Sequence, residues 1–293
     1  MFLLGVEAML NGVEQELLEK IQEWEDKQLT EEADEWLRSL DEWLERAFTK
    51  IDPGIRNQIS QKMEQWLFYI QAAIQESGHF ETRIEKMLEE ARLIKRDIQW
   101  VGDLKQLPIA QLNYFAERFI GAHKITALLQ GGVSGMKQPV LQLLDIPATI
   151  LLNIRIVQLL SACYGYDPKR PFEMMLALKV FYASTLPKRF QRDEWKRLLN
   201  EVEKGEGQYF YEGNERFMDS RFLQPLLLQG LKGFLVQLLN KGENKNRRVL
   251  GMLASGSYNY AFARDVSDFA QRFYQYRYLR EKLDKGKNDS FLP

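Results

Sequence analysis

The chain has one cysteine, Cys163, and two histidines, His79 and His123, in 293 residues. A lone cysteine excludes an intrachain disulfide, and nothing in its use points to an oxidising compartment. Neither histidine belongs to an HxxxH pair and there is no Cys-x-x-Cys, so the spacing offers no structural zinc site. No GxSxG elbow occurs, and "GGVSGM" lacks the Lys-Ser/Thr that completes a phosphate-binding loop. No sustained apolar/polar alternation demands a sheet, and no fixed-period repeat is present. The opening "MFLLGVEAML" has no basic region and carries Glu7 early, which makes a poor signal peptide. A cytoplasmic protein is the expectation.

What remains is helix-forming. Nine prolines and nineteen glycines are few for this length, 45% of residues are hydrophobic, and Leu, Glu, Lys, Gln and Arg dominate. The expected fold is all-α, a multi-helix bundle with a very apolar central helix and no substantial sheet. The net charge of −1 hides an asymmetry. Residues 1–50 carry five Lys/Arg and fourteen Asp/Glu, 5 − 14 = −9, which leaves +8 for residues 51–293. From Lys232 onward there are twelve basic and six acidic residues, 12 − 6 = +6. A uniform basic surface is missing, so no nucleic-acid partner is expected, whereas an anionic membrane surface or acidic partner suits the C-terminal part. The chain divides accordingly into an acidic amphipathic arm, 1–50, and a main helical domain, 51–293.

Apolar residues recur at helical spacing nearly throughout. In the arm, Trp36, Leu40 and Trp43 share one face, and with Trp24 they are candidate partner contacts. Asp52-Pro53-Gly54 ends that helix, and an amphipathic stretch follows from Ile55 to about Glu76. A charged helix is expected from about Glu81 to Trp100, and another after Leu107-Pro108 that the pair Gly131-Gly132 would end near Gln130. Pro171 and Pro187 open two more, and long helical patterns cover about Met218–Asn240 and Val249–Leu283. In the last of these, Phe262, Val266, Phe269, Phe273, Tyr276 and Leu283 form one face suited to core packing, with Arg264, Arg272, Arg277 and Arg280 around it.

The central segment, "LLDIPATILLNIRIVQLLSACYGYDP", reads as a helix capped by Asp145, with Pro147 in its first turn and Gly165 as its stop. It is nearly long enough to span a bilayer, but Asn153, Arg155 and Gln158 interrupt it, and an arginine near a bilayer centre costs at least ~2.5 kcal/mol. A buried bundle helix, or one lining an apolar cavity, fits better. Arg155, the one formal charge between Asp145 and Asp167, must then meet a carboxylate, carbonyls or a ligand headgroup. Cys163 and His123 could pair as nucleophile and base, although a thiol in an apolar helix is usually inert.

That segment, followed by "FEMMLALKVFYAST", resembles the central signature of the bacterial EcsC family, in which a glycine-rich stretch leads into a Leu-x-Asp-Ile-Pro-Ala helix ending in Cys-Tyr-Gly-Tyr-Asp. "EQELLEKIQEWE", "GAHKITALLQGG" and "LGMLASGSYNYAFARDVSDFAQRFYQYRYL" resemble the family too, so the likeness covers most of the chain. The resemblance implies an association with an ABC-type exporter and hence work at a membrane, and it supplies no catalytic residues.

Three readings follow. The first is a non-enzymatic protein, peripheral on the inner face of the cell membrane, that binds lipid or another long apolar ligand. Its contact candidates are Gly131, Gly132, Gly135, Ile150, Ile154, Arg155, Val157, Tyr164 and Tyr166. The second is an accessory of an ABC transporter subunit that binds protein without lipid. The third is a hydrolase with an unrecognised site. No cofactor and no metal are expected, and the sequence leaves the oligomeric state open.

Overall fold

A computed structural model describes residues 10–28, 65, 69–70, 72–74, 78–134, 145–186, 188–204 and 256–289. The described residues form α-helices, one 3-10 helix and turns, with no strand. The helices are α1 (Gly12–Gln28), α2 (Gly78–Ile94), the 3-10 helix (Val101–Gln106), α3 (Ile109–Ser134), α4 (Asp145–Cys163), α5 (Pro171–Thr185), α6 (Lys188–Lys204) and α7 (Gly256–Asp289).

Helix α7, at 34 residues, is ~51 Å long and is the axis of the bundle. It packs most extensively on α3, then on α4 and α5, while α4 lies between α3 and α5. The expected aromatic face does this work: Phe262, Val266, Phe269, Phe273 and Leu283 are buried, and Tyr276 is partly so. Against it α6 sets Trp195, fully buried and edge-on to Phe269 (5.4 Å), Phe273 (5.9 Å) and Tyr276 (6.1 Å).

Helices α4 and α5 are apolar on nearly every side because neighbours cover them on nearly every side. Ile150, Ile154, Ile156, Val157, Leu159, Leu160 and Cys163 of α4 are at most 1% exposed. Four polar residues of α4, Thr149, Asn153, Gln158 and Ser161, are buried as well. Burial this deep demands partners. Asn153 Nδ2 donates to Thr149 O at 2.8 Å, Ser161 Oγ donates to Gln158 O at 2.8 Å, and His123 Nε2 on α3 donates to Asn153 Oδ1 at 3.1 Å.

Two helix boundaries differ from expectation. Helix α2 ends at Ile94 rather than near Trp100, because Arg92 turns back to donate to Ile98 O (3.0 Å) and Gln99 O (3.2 Å). Asp103 then accepts from the Gln99 and Trp100 amides and starts the 3-10 helix. Helix α3 runs through Gly131-Gly132 to Ser134; a glycine costs a helix only about 1 kcal/mol, too little to stop the last turn alone. The stretches about Asp52-Pro53-Gly54 and Met218–Asn240 lie outside the described residues.

Helix α1, from the acidic arm, packs on α7. Asn11 and Glu14 form a capping box, each amide donating to the other's side chain at 3.0 Å. The buried Glu14 carboxylate accepts from Lys282 Nζ at 2.6 and 2.8 Å, and Trp24 lies edge-on to Trp195 at 5.2 Å.

Burial lowers the His123 pKa from an ordinary 6.5 to about 4; Arg83 and Lys124 push the same way, against the Asn153 hydrogen bond. Folding therefore favours neutral imidazole, and this contribution is complete above pH 6.5 and lost as pH falls toward 4. Between pH 7.5 and 5 the wild type loses about 2 kcal/mol through this group. His123→Gln, which can still donate to Asn153, removes that component, so urea unfolding at the two pH values should show a smaller acid loss in the variant. Equal losses would mean that the imidazole is not buried neutral.

Candidate functional site

The end of α4 positions a network of buried and half-buried charges. Gly165 has φ +82°, a left-handed conformation that side chains disfavour, and a Cβ there would overlap the Lys105 side chain. The Gly165 amide donates to Ala162 O and the Tyr166 amide to Ser161 O, both at 3.0 Å, which is the Schellman closure of a helix. Tyr164 is thereby turned inward, where its hydroxyl donates to Asn113 Oδ1 at 2.7 Å, a carbonyl that also accepts from Gln275 Nε2 at 2.9 Å. Tyr166 points to the other side, buried beneath two cations.

Those cations are Lys105 Nζ, 3.9 Å from the Tyr166 ring centre, and the Arg277 guanidinium, 3.7 Å from it. Arg277 is buried and donates through both terminal nitrogens to the two Glu173 oxygens, 2.7 Å each. Glu281 continues the chain, 2.6 Å from Lys105 Nζ and 3.6 Å from Arg277 Nε. Burial by itself would lower the Arg277 pKa, but the Glu173 hydrogen bonds and charge outweigh it and hold the guanidinium above its ordinary value. Burial raises the Tyr166 phenol well above its usual pKa; the hydroxyl lies near Glu281 without reaching hydrogen-bond geometry.

Above this network opens a cleft of about 580 Å³. The 3-10 helix, the α4–α5 turn, the end of α6 and the second half of α7 form its walls, with Trp100, Arg170, Leu199, Glu203 and Arg280 among the lining residues. Arg280 is 3.2 Å from Glu203 and 6.0 Å from the Tyr276 ring centre.

Of the ligand-contact candidates that lie among the described residues, Tyr166 lines the cleft, and so do Gly165, Tyr276, Arg277 and Arg280, which the sequence marked for other reasons. Ile150, Ile154 and Val157 are packed in the core and hold the bundle together. Arg155 is half-buried and meets carbonyls: its Nη2 donates to Ala73 O (2.6 Å) and Ile74 O (3.1 Å), its Nη1 to Gln158 Oε1 (3.0 Å), and its guanidinium lies 4.7 Å from the Phe80 ring centre. It thus ties α4 to the Ala73 and Ile74 carbonyls, a structural task. Gly131 and Gly132 are in the last turn of α3, and Trp24 is committed to Trp195, Phe269 and Arg272 within the fold. Gly135, Trp36 and Trp43 lie outside the described residues. His123 pairs with Asn153, while the buried Cys163 thiol, its pKa pushed up by burial, sits against Met87 Sδ at 3.6 Å. They are not a nucleophile and base. Among the described residues no group of three His, Cys, Asp or Glu could hold a metal ion.

Sequence reasoning missed Glu173 and marked Arg277 only as one of four arginines around an aromatic face. Each sits on a helix face that spacing alone marks as ordinary, and only the packing of α5 on α7 brings them together. The one available signal was a carboxylate in the first turn of a helix otherwise apolar until Lys179.

Losing one partner strands a buried charge, whereas losing both leaves an apolar contact. Glu173→Leu and Arg277→Met should each destabilise by about 3–5 kcal/mol, and the double variant by clearly less than the sum. Urea unfolding of the four proteins measures this; additive losses would rule out the coupling.

Comparison with known proteins agrees with this architecture's sequence pattern. The model of the EcsC protein family matches residues 15–279. Protein EcsC of Bacillus subtilis strain 168 is 22% identical over 256 residues, 86% of this chain and 96% of that one. An uncharacterised protein of the same strain, YdbA, is 24% identical over 123 residues, 41% of this chain and 45% of YdbA, so the chain spans under half of that relative. No solved structure matches. With its α4 helix, its Cys-Tyr-Gly-Tyr-Asp turn and nearly the whole chain inside the family match, the protein belongs to the EcsC family.

Proposed function

We propose that the protein is a non-enzymatic, peripheral component of the inner membrane surface, and that it touches anionic lipid through the end of the bundle where α3 finishes. The observation carrying this reading is the exposed apolar face of α3. Ile125 is 60% and Leu129 64% exposed, with Leu128 beside them and Tyr114 on the same stripe, while Leu112, Phe115, Phe119, His123 and Ala127 are buried on the opposite face.

Charge complements this face. Lys124 is 3.8 Å from Asp268, and Lys188 lies among Arg264, Asp265, Asp268 and Arg272, so four cations face two carboxylates, 4 − 2 = +2. Exposed apolar side chains on α3, with Lys124 on the same helix and a net positive charge among these groups, suit an anionic lipid surface, where each Lys or Arg contributes about 1 kcal/mol. No helix among the described residues is long and apolar enough to cross a membrane. Attachment through a surface is therefore the mode of binding these features support, in place of a lipid tail lodged beside α4, where the side chains are packed core.

Wild-type protein should float with vesicles containing phosphatidylserine, less with neutral vesicles, and less as salt is raised. Leu128→Glu/Leu129→Glu should abolish flotation without altering helical content, since both positions are exposed. If the wild type fails to float, or the double variant floats as well as the wild type, this face does not bind membrane. Capture of a transporter subunit that the double variant keeps and vesicles do not compete would support a protein-binding accessory instead.

A further inference from the structure

The cleft beneath the α4–α5 turn lies far from the apolar end of α3. Tyr260 and Tyr276 on α7 mark the two regions, and sixteen residues of helix separate them, ~24 Å. The cleft's volume, about 580 Å³, falls within the usual range of small-molecule sites. Its chemistry differs from that of an anion site. Four cations and five carboxylates line it, 4 − 5 = −1, and Lys105, Arg277 and Arg280 each meet a carboxylate of the same lining, Glu281, Glu173 and Glu203. A site for phosphate would show an excess of cations, and one for a polyamine a clear excess of carboxylates.

The floor and the rim also differ. On the floor, Arg277 and Glu173 are bound to each other out of water and cannot be exchanged for a ligand at small cost. At the rim, the Arg280 and Glu203 side chains are 45% and 61% exposed and meet at a single 3.2 Å contact. Such a surface pair is weak and opens readily. Next to it is the Tyr276 ring under Arg280; Trp100, which is 56% exposed, lines the same cleft. A ligand bearing both signs satisfies this rim as the two side chains satisfy each other, and it adds contact with the rings.

We infer that the cleft binds a small zwitterion, an amino acid or short peptide, whose carboxylate takes Arg280 and whose ammonium takes Glu203. This inference does not depend on membrane binding.

The test uses the full chain in thermal-shift and calorimetric titrations. Individual protein amino acids and dipeptides are supplied at millimolar concentration beside inorganic phosphate and spermidine. At least one zwitterion should raise the melting temperature and bind saturably, and Arg280→Gln and Glu203→Gln should each weaken it by about tenfold while leaving the unliganded melting temperature unchanged. Absence of stabilisation by any zwitterion, stabilisation by phosphate or spermidine alone, or unchanged binding by both variants would overturn the assignment. The Leu128→Glu/Leu129→Glu protein should bind the zwitterion normally, so failure at one end of α7 is distinguishable from failure at the other.

Discussion

A guanidinium removed from water requires a carboxylate, and Arg277 obtains one only if several separate pieces of chain are placed correctly. Glu173 reaches it from the first turn of α5, which requires the chain to reverse between α4 and α5 within a few residues. That reversal depends on Gly165 adopting a positive φ, and Lys105 from the 3-10 helix fills the space a Cβ would occupy. The Tyr166 ring then meets both Lys105 and Arg277, with Glu281 bridging the two cations. Three parts of the fold, α5, the turn after α4 and the 3-10 helix, are therefore registered against α7 around one buried charge. Hydrophobic residues of similar volume could match its stability, so its value is better sought in fixing geometry.

The apolar content of α4 takes its meaning from the same arrangement. A helix this greasy invites a membrane interpretation, yet here it is flanked by α3, α5 and α7. Its polar residues supply the rest of the explanation. Asn153 ties α4 to His123 on α3, and Arg155 reaches the Ala73 and Ile74 carbonyls across the bundle. Each polar group that breaks the run on α4 forms a specific contact, which fixes the rotation of the helix where apolar packing alone would tolerate several.

Much of this was legible in the sequence. Apolar spacing found α4, α5 and α6 and the buried face of α7, because a periodic signal over many residues is robust to single exceptions. The arginines around α7 were less legible. Arg264 and Arg280 lie at the surface as snorkelling predicts, but Arg277, four residues from Phe273, is buried, and periodicity cannot distinguish these fates. The cleft was largely hidden, since its residues come from segments as distant as Trp100 and Asp284. Only the Tyr-Gly-Tyr-Asp turn announced it, as a stop signal whose glycine had a conformational reason to be there.

Helix α7 gives the molecule two chemically different ends. Toward its start, Arg264, Asp265, Asp268 and Arg272 lie about Lys188 and Lys124, and α3 leaves apolar side chains exposed; toward its finish, paired charges line a concave space over a buried ion pair. The proposed surface attachment would need only area and sign, whereas the proposed discrimination among small polar ligands would need groups held at fixed distances. The bidentate Arg277–Glu173 contact, with Tyr166 and Glu281 against the same guanidinium, supplies fixed distances at the cleft. The Schellman closure of α4 adds to them, because it sets the direction in which Tyr166 leaves the helix.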